Sequence, residues 1–160
     1  AYFFAMLLLV VATGWALARM SGREPFRVFA LAITVDYAIS LPFFLFFPVP
    51  ERWAYPESGA ILLSDLWAPE LIEVFRPISG LDNCFPSFHV SLTVVMVALA
   101  FLYRLRYRWS ALWIGLLITL STLVLGVHWL TDIAAGLATG ALAVTVARLM
   151  ERSITWPEFT

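Results

Sequence analysis

The sequence predicts an all-α, polytopic transmembrane helical bundle with five spans in this chain, and three observations lead there. Hydrophobic residues make up 62% of the 160 residues and charged residues 13%, with a mean hydropathy of +0.89. A soluble domain of this size needs more polar surface than that. Five apolar stretches reach or approach the roughly 17 to 25 residues that cross a bilayer as a helix. The arginines between those stretches alternate in sidedness, as basic residues do when they remain on the cytoplasmic side of successive spans.

The first stretch, about 2–20, has no basic residues ahead of it and runs too far for a cleaved signal peptide, so it is expected to span. The chain opens on Ala1 rather than Met, and five spans leave its two ends on opposite sides. A further helix ahead of Ala1 is therefore expected, making six in the complete protein and leaving residues 1–160 as one domain lacking its N-terminal helix. The second stretch, 25–47, carries Asp36 near its middle. An ionisable group there is costly unless paired, and Asp36 lies too deep for direct catalysis, so it reads as a buried hydrogen-bonding group.

Residues 48–87 are rich in Pro, Trp and acids and form the long loop. Trp53, Tyr55 and Trp67 suit the headgroup zone, and 60–67 and 69–75 mix apolar and acidic positions as short interfacial helices do. The third and fourth stretches, 88–103 and 111–127, are short, and the fifth covers 129–150. Within the fifth, Gly136 and Gly140 in GLATG have the small-xxx-small spacing that lets two helix backbones approach closely.

All ten basic side chains are arginine, and eight fall on one face: Arg19, Arg23, Arg27, Arg104, Arg106, Arg108, Arg148 and Arg152. The other face receives the long loop, the turn 127–129 and the acids Glu51, Glu57, Asp65, Glu70, Glu73, Asp82 and Asp132, and should lie outside. A formal net charge of -1 points to no acidic or basic partner, and nucleic acid is not expected. The single cysteine, Cys84, excludes an internal disulfide and a multi-cysteine metal site, and reads as a small apolar filler.

Both histidines fall at the outer ends of spans: His89 after Phe85-Pro86-Ser87-Phe88, and His128 within Gly126-Val127-His128-Trp129-Leu130-Thr131-Asp132. If that second stretch is helical, His128 and Asp132 share a face. A carboxylate on one imidazole nitrogen fixes the tautomer and frees the other nitrogen as a nucleophile, although such a pair can also simply satisfy itself and nearby backbone. His89 would supply the general acid that phosphoryl transfer through a phosphohistidine requires. Ser87 and the amides after Pro86 open a helix, where phosphate is favoured, or form an ordinary N-cap. Arg52 and Arg76 are the two outer arginines; they either turn inward onto phosphate or stay solvated or paired with Glu51 or Glu73.

FPSFHVSLT and STLVLGVHWLTD, separated by a basic turn, resemble two signature segments of the phosphatidic acid phosphatase type 2 superfamily. With the PVPERW segment and the preceding spans, the likeness covers most of the chain. Where the family has Pro-Ser-Gly-His, this chain has Pro86-Ser87-Phe88-His89, which is similar to the inositol phosphorylceramide synthase-like branch and its bacterial relatives. Ser121, His128 and Asp132 keep the register of the later segment, with Thr122 where an arginine would stand. Of the earliest segment only Arg76-Pro77 is visible, with Pro69 in the place of its lysine.

The resemblance implies a membrane lipid phosphate phosphatase working through a phosphohistidine, without metal or cofactor. Its implied roles are His128 as nucleophile, Asp132 as orienting base, His89 as general acid and Ser87 as phosphate contact, with Arg52 and Arg76 as candidate phosphate-binding residues. It further implies a lipid phosphate substrate, a bilayer around the protein and a bacterial plasma membrane with the site on its outer face. Three alternatives remain at this level: a phosphotransferase moving a phosphoryl or phospho-headgroup between lipids, a hydrolytic zinc site of His89, His128 and Asp132, and a transporter or structural bundle. The particular lipid and the oligomeric state are not legible.

Overall fold

A computed structural model describes residues 2–63 and 82–156. Of the expected interfacial helices, 60–63 are described and carry no α-helix, while 64–67 and 69–75 lie outside the described residues, as does Arg76. The described residues form five α-helices and no strand: α1 Tyr2–Ala18, α2 Glu24–Phe46, α3 Phe88–Leu102, α4 Arg108–Val124 and α5 Leu130–Ser153. Two of them, α2 and α5, are long and apolar enough to cross a membrane. The 15 residues of α3 rise only about 22 Å at 1.5 Å each, short of a hydrocarbon core of about 30 Å.

The helix ends follow local chemistry. Glu24 and Pro25 open α2, an acid beside the positive helix end and a proline where no N–H is needed. Phe47 ends it ahead of Pro48, because the residue before proline is pushed out of the helical region. Ser87 caps α3, its side chain accepting from the Val90 N–H. Helix α4 stops at Val124, three residues before the expected end, because Gly126 takes φ +76° and turns the chain.

Helix α5 packs against both α2 and α3, α3 against α4, and α1 against α4. The contact between α5 and α3 depends on Gly136 and Gly140: a Cβ on Gly136 would stand 2.6 Å from the Ser87 carbonyl oxygen, and one on Gly140 would run into that of Ser91. The buried core is largely apolar, yet large apolar side chains also cover the outside and several polar ones are buried. Leu8, Trp15, Phe46, Trp113 and Leu130 are each more than 60% exposed, while Thr13, Asp36, Ser40, Ser91 and Thr122 are buried. At one end of the bundle Arg27 donates through Nε and a terminal nitrogen to Glu151 Oε1 at 3.0 and 2.7 Å, and Tyr103 donates to Glu24 at 2.7 Å. Arg19 and Arg23 lie in the connection from α1 to α2, Arg104 and Arg106 in that from α3 to α4, and Arg27 and Arg108 in the helix turns that follow, so this is the basic end.

Candidate active site

Two loops meet at the opposite end. The first, residues 82–87, leads into α3; the second, residues 125–129, joins α4 to α5. The α4–α5 loop is pinned from below, where the Thr122 carbonyl accepts from both the Val127 and His128 N–H groups at 3.2 Å. Thr122 is fully buried, its hydroxyl bonds Thr119 O at 2.8 Å, and its carbonyl thus anchors the backbone of His128. From above, residues 49–53 form a strap across both loops. Val49 N–H donates to Asp82 O at 2.7 Å and Cys84 N–H to Val49 O at 3.1 Å, while Arg52 N–H donates to Val127 O at 3.1 Å and Trp53 N–H to Gly126 O at 2.9 Å. The Trp129 indole adds a bond to Pro50 O at 3.1 Å.

His128 does not lie in a helix, contrary to the condition under which it would share a helical face with Asp132. It precedes α5 by two residues, and Asp132 sits in the first turn. The carboxylate folds back over the helix start: Oδ2 accepts from Trp129 N–H at 2.8 Å and lies 3.5 Å from His128 Nδ1. Capping geometry, rather than helical spacing, makes the pair. His128 is 4% exposed and Asp132 1%.

Asp132 Oδ2, at 3.5 Å, and Cys84 Sγ, at 3.0 Å, both lie on the Nδ1 side of His128, and Nε2 points the other way. Nε2 is buried with no hydrogen-bond partner in this structure, which is uncommon for a buried polar atom. His89, on the first turn of α3, brings its ring centroid to 5.8 Å from that of His128. The two histidines, 39 residues apart in sequence, thus share one site.

Ser87 is fully buried; its hydroxyl caps α3 at 3.4 Å from Val90 N, and its N–H donates to the Asp132 carbonyl at 3.1 Å. The N-cap function is therefore what the structure shows for it. Arg52 is half-buried, and its backbone is bonded directly to the residue before His128. Asp36 is fully buried and accepts from Ser91 at 2.9 Å, the paired group expected of it.

Cys84 is not the apolar filler its sequence context suggests. Its sulfur lies 3.0 Å from His128 Nδ1 and 3.0 Å from Asp132 Oδ2. Burial, reinforced by the Asp132 carboxylate, pushes the thiol pKa well up, so the group donates S–H to Asp132. Among the described residues the set whose ligand atoms converge is Cys84, His128 and Asp132, all within 4.8 Å of one another. His89 is not part of it, so the expected His89, His128 and Asp132 zinc set is not the one that assembles. No signal in the sequence marks Cys84, which lies 44 residues from His128.

At one end of the helical bundle a buried His–Asp pair thus stands beside a second histidine. The chain belongs to the PAP2 superfamily, whose family model matches residues 1–156. Membership places it among phosphatases and phosphotransferases and points to a lipid phosphate as substrate. Comparison with curated proteins and with solved structures returned no match.

Proposed function

We propose that this protein is an integral membrane lipid phosphate phosphatase acting through a phosphohistidine. The observation that carries this reading is the buried, unpartnered Nε2 of His128, with Asp132 at its Nδ1 and His89 beside it. His128 Nε2 attacks phosphorus, the bond to the lipid oxygen breaks, and His89 gives that oxygen its proton. Water then attacks the phosphohistidine, His89 takes a proton from it, and inorganic phosphate leaves. Asp132 holds the Nδ1 proton and offsets the positive charge on the ring. No metal is required for either step. Ser87 and the first amides of α3 face the phosphate, and Arg52 and Arg76 neutralise its oxygens. Because Thr122 faces into the bundle, Arg52 on the strap carries more of that charge than in relatives with arginine there.

In this reading all five helices span, with the arginine-rich end cytoplasmic and the site on the outer face of a bacterial plasma membrane. The sharp division between the basic end and the histidine end supports that orientation. Phe88 in the Pro-Ser-x-His segment favours the inositol phosphorylceramide synthase-like branch, in which transfer to an acceptor hydroxyl replaces hydrolysis.

The test is to incubate purified, chelator-stripped protein with a panel of labelled lipid phosphates, with and without hydroxyl acceptors. Free phosphate, new phospholipid and acid-labile phosphoenzyme are then followed together. The stripped protein is expected to release phosphate and form phosphoenzyme, and His128→Ala to lose both. Full activity in that variant rejects the mechanism; transfer without phosphate release rejects hydrolysis.

A further inference from the structure

We propose that Cys84, His128 and Asp132 form a binding site for a soft divalent cation, zinc above all, whose occupation silences the phosphatase. The inhibitory part rests on His128 being the nucleophile; the binding part does not. Three donors of the types zinc prefers, a sulfur, an imidazole nitrogen and a carboxylate oxygen, come from separate places in the chain and meet with their ligand atoms 3.0, 3.0 and 3.5 Å apart. A tetrahedral zinc with metal–ligand lengths of about 2.0 to 2.3 Å needs ligand separations of about 3.3 to 3.6 Å. Opening the triangle by about half an ångström would admit the ion.

The surroundings also suit a metal. Cys84, His128 and Asp132 are all at least 95% buried, which excludes competing water. Asp132 Oδ2 is oriented by the Trp129 N–H, and the Val127 carbonyl lies 3.3 Å from the sulfur, near enough to serve a fourth position. Binding replaces the Cys84 S–H and the His128 Nδ1–H by bonds to the metal, and both protons pass to solvent. Asp132 is then committed to the ion, and the cation draws electron density from the imidazole just where Nε2 must donate it. The hydroxyl of a serine in place of Cys84 would keep a hydrogen bond to Asp132 but offer the ion a far poorer ligand.

The experiment is a cobalt titration of the purified, chelator-stripped protein in detergent, read by absorption and by phosphate release. The expected result is one cobalt per chain with a near-ultraviolet thiolate-to-cobalt band, bleached by zinc, with the rate falling in step and returning on chelation. Asp132→Asn should weaken cobalt binding at least about tenfold, and Cys84→Ser should need at least about tenfold more zinc to halve its own metal-free rate. Absence of the band in the wild-type protein, or unaltered cobalt affinity in Asp132→Asn, overturns the three-ligand site. A band with no change in rate overturns the inhibition. Loss of the phosphatase reading would instead show as phosphoenzyme persisting in His128→Ala, while the wild-type protein still gives the cobalt band.

Discussion

At the scale of single residues, the proposed mechanism divides the work of one imidazole between its two faces. The Nδ1 side of His128 is crowded by Asp132 and Cys84, and the Nε2 side is left to the reacting group. His89 has a different task, so its removal should have a different signature. With an alkyl phosphate, whose leaving oxygen must be protonated, His89→Ala is expected to slow turnover by about 10²- to 10⁴-fold. With a phosphate ester of a phenol acidic enough to leave as the anion, most of that loss should disappear. Equal losses with both substrates would take the general acid role away from His89. The residue types were legible before the fold: His89, His128 and Asp132 stand out in an apolar chain. Cys84 was not, because a lone cysteine carries no spacing, and only folding sets it against residues 44 and 48 positions away.

At the scale of elements, the site is held by backbone rather than by side-chain ion pairs. The Thr122 carbonyl, the residue 49–53 strap and the Ser87 cap each fix a loop through main-chain hydrogen bonds, and the glycine face of α5 sets how near α3 can come. Gly136 stands one turn beyond Asp132 and presses on the Ser87 carbonyl, so a side chain there strains the site itself. Gly136→Val is expected to cost about 1 to 3 kcal/mol and to lower kcat more than it raises KM, by parting His89 from His128. Thermal unfolding in detergent and steady-state kinetics check the two halves; an unchanged kcat would show that the helices reseat without moving the histidines. GLATG announced this close packing. Which helix it meets was not legible, since a glycine pair names no partner.

At the scale of the whole molecule, large apolar side chains stand outside while hydroxyls and the Asp36 and Asp132 carboxylates join the apolar core inside, a distribution that suits the lipid setting proposed for it. The full chain in native membranes is therefore expected to stay with the pellet through alkaline carbonate extraction and to enter solution only with detergent. Release by carbonate would overturn the spanning arrangement. The ion pair of Arg27 with Glu151 ties α2 to α5 at the end away from the histidines. Arg27→Ala should lower the unfolding temperature and leave KM and kcat within about twofold, as an effect of a part-exposed pair of at most about 1 kcal/mol implies; a large loss of kcat would show that the two ends are coupled.

The sequence by itself determined the helical class, the five apolar segments and their ends to within a few residues, because length, hydropathy and the punctuation by Pro, Gly and Ser act locally. It also determined the identity of the two histidines and the acid, since a charged or titratable group in so apolar a chain is expensive and therefore conspicuous. Tertiary structure alone decided what touches what. It decided that Asp132 reaches His128 around a helix start rather than along a helix, and that the Thr122 carbonyl anchors the His128 backbone. It decided as well that residues 49–53 strap the loops and that Cys84 closes the Nδ1 side. Those contacts join residues far apart in the chain, and no periodicity records them; they follow from close packing of helices whose facing surfaces become neighbours only once the chain has folded.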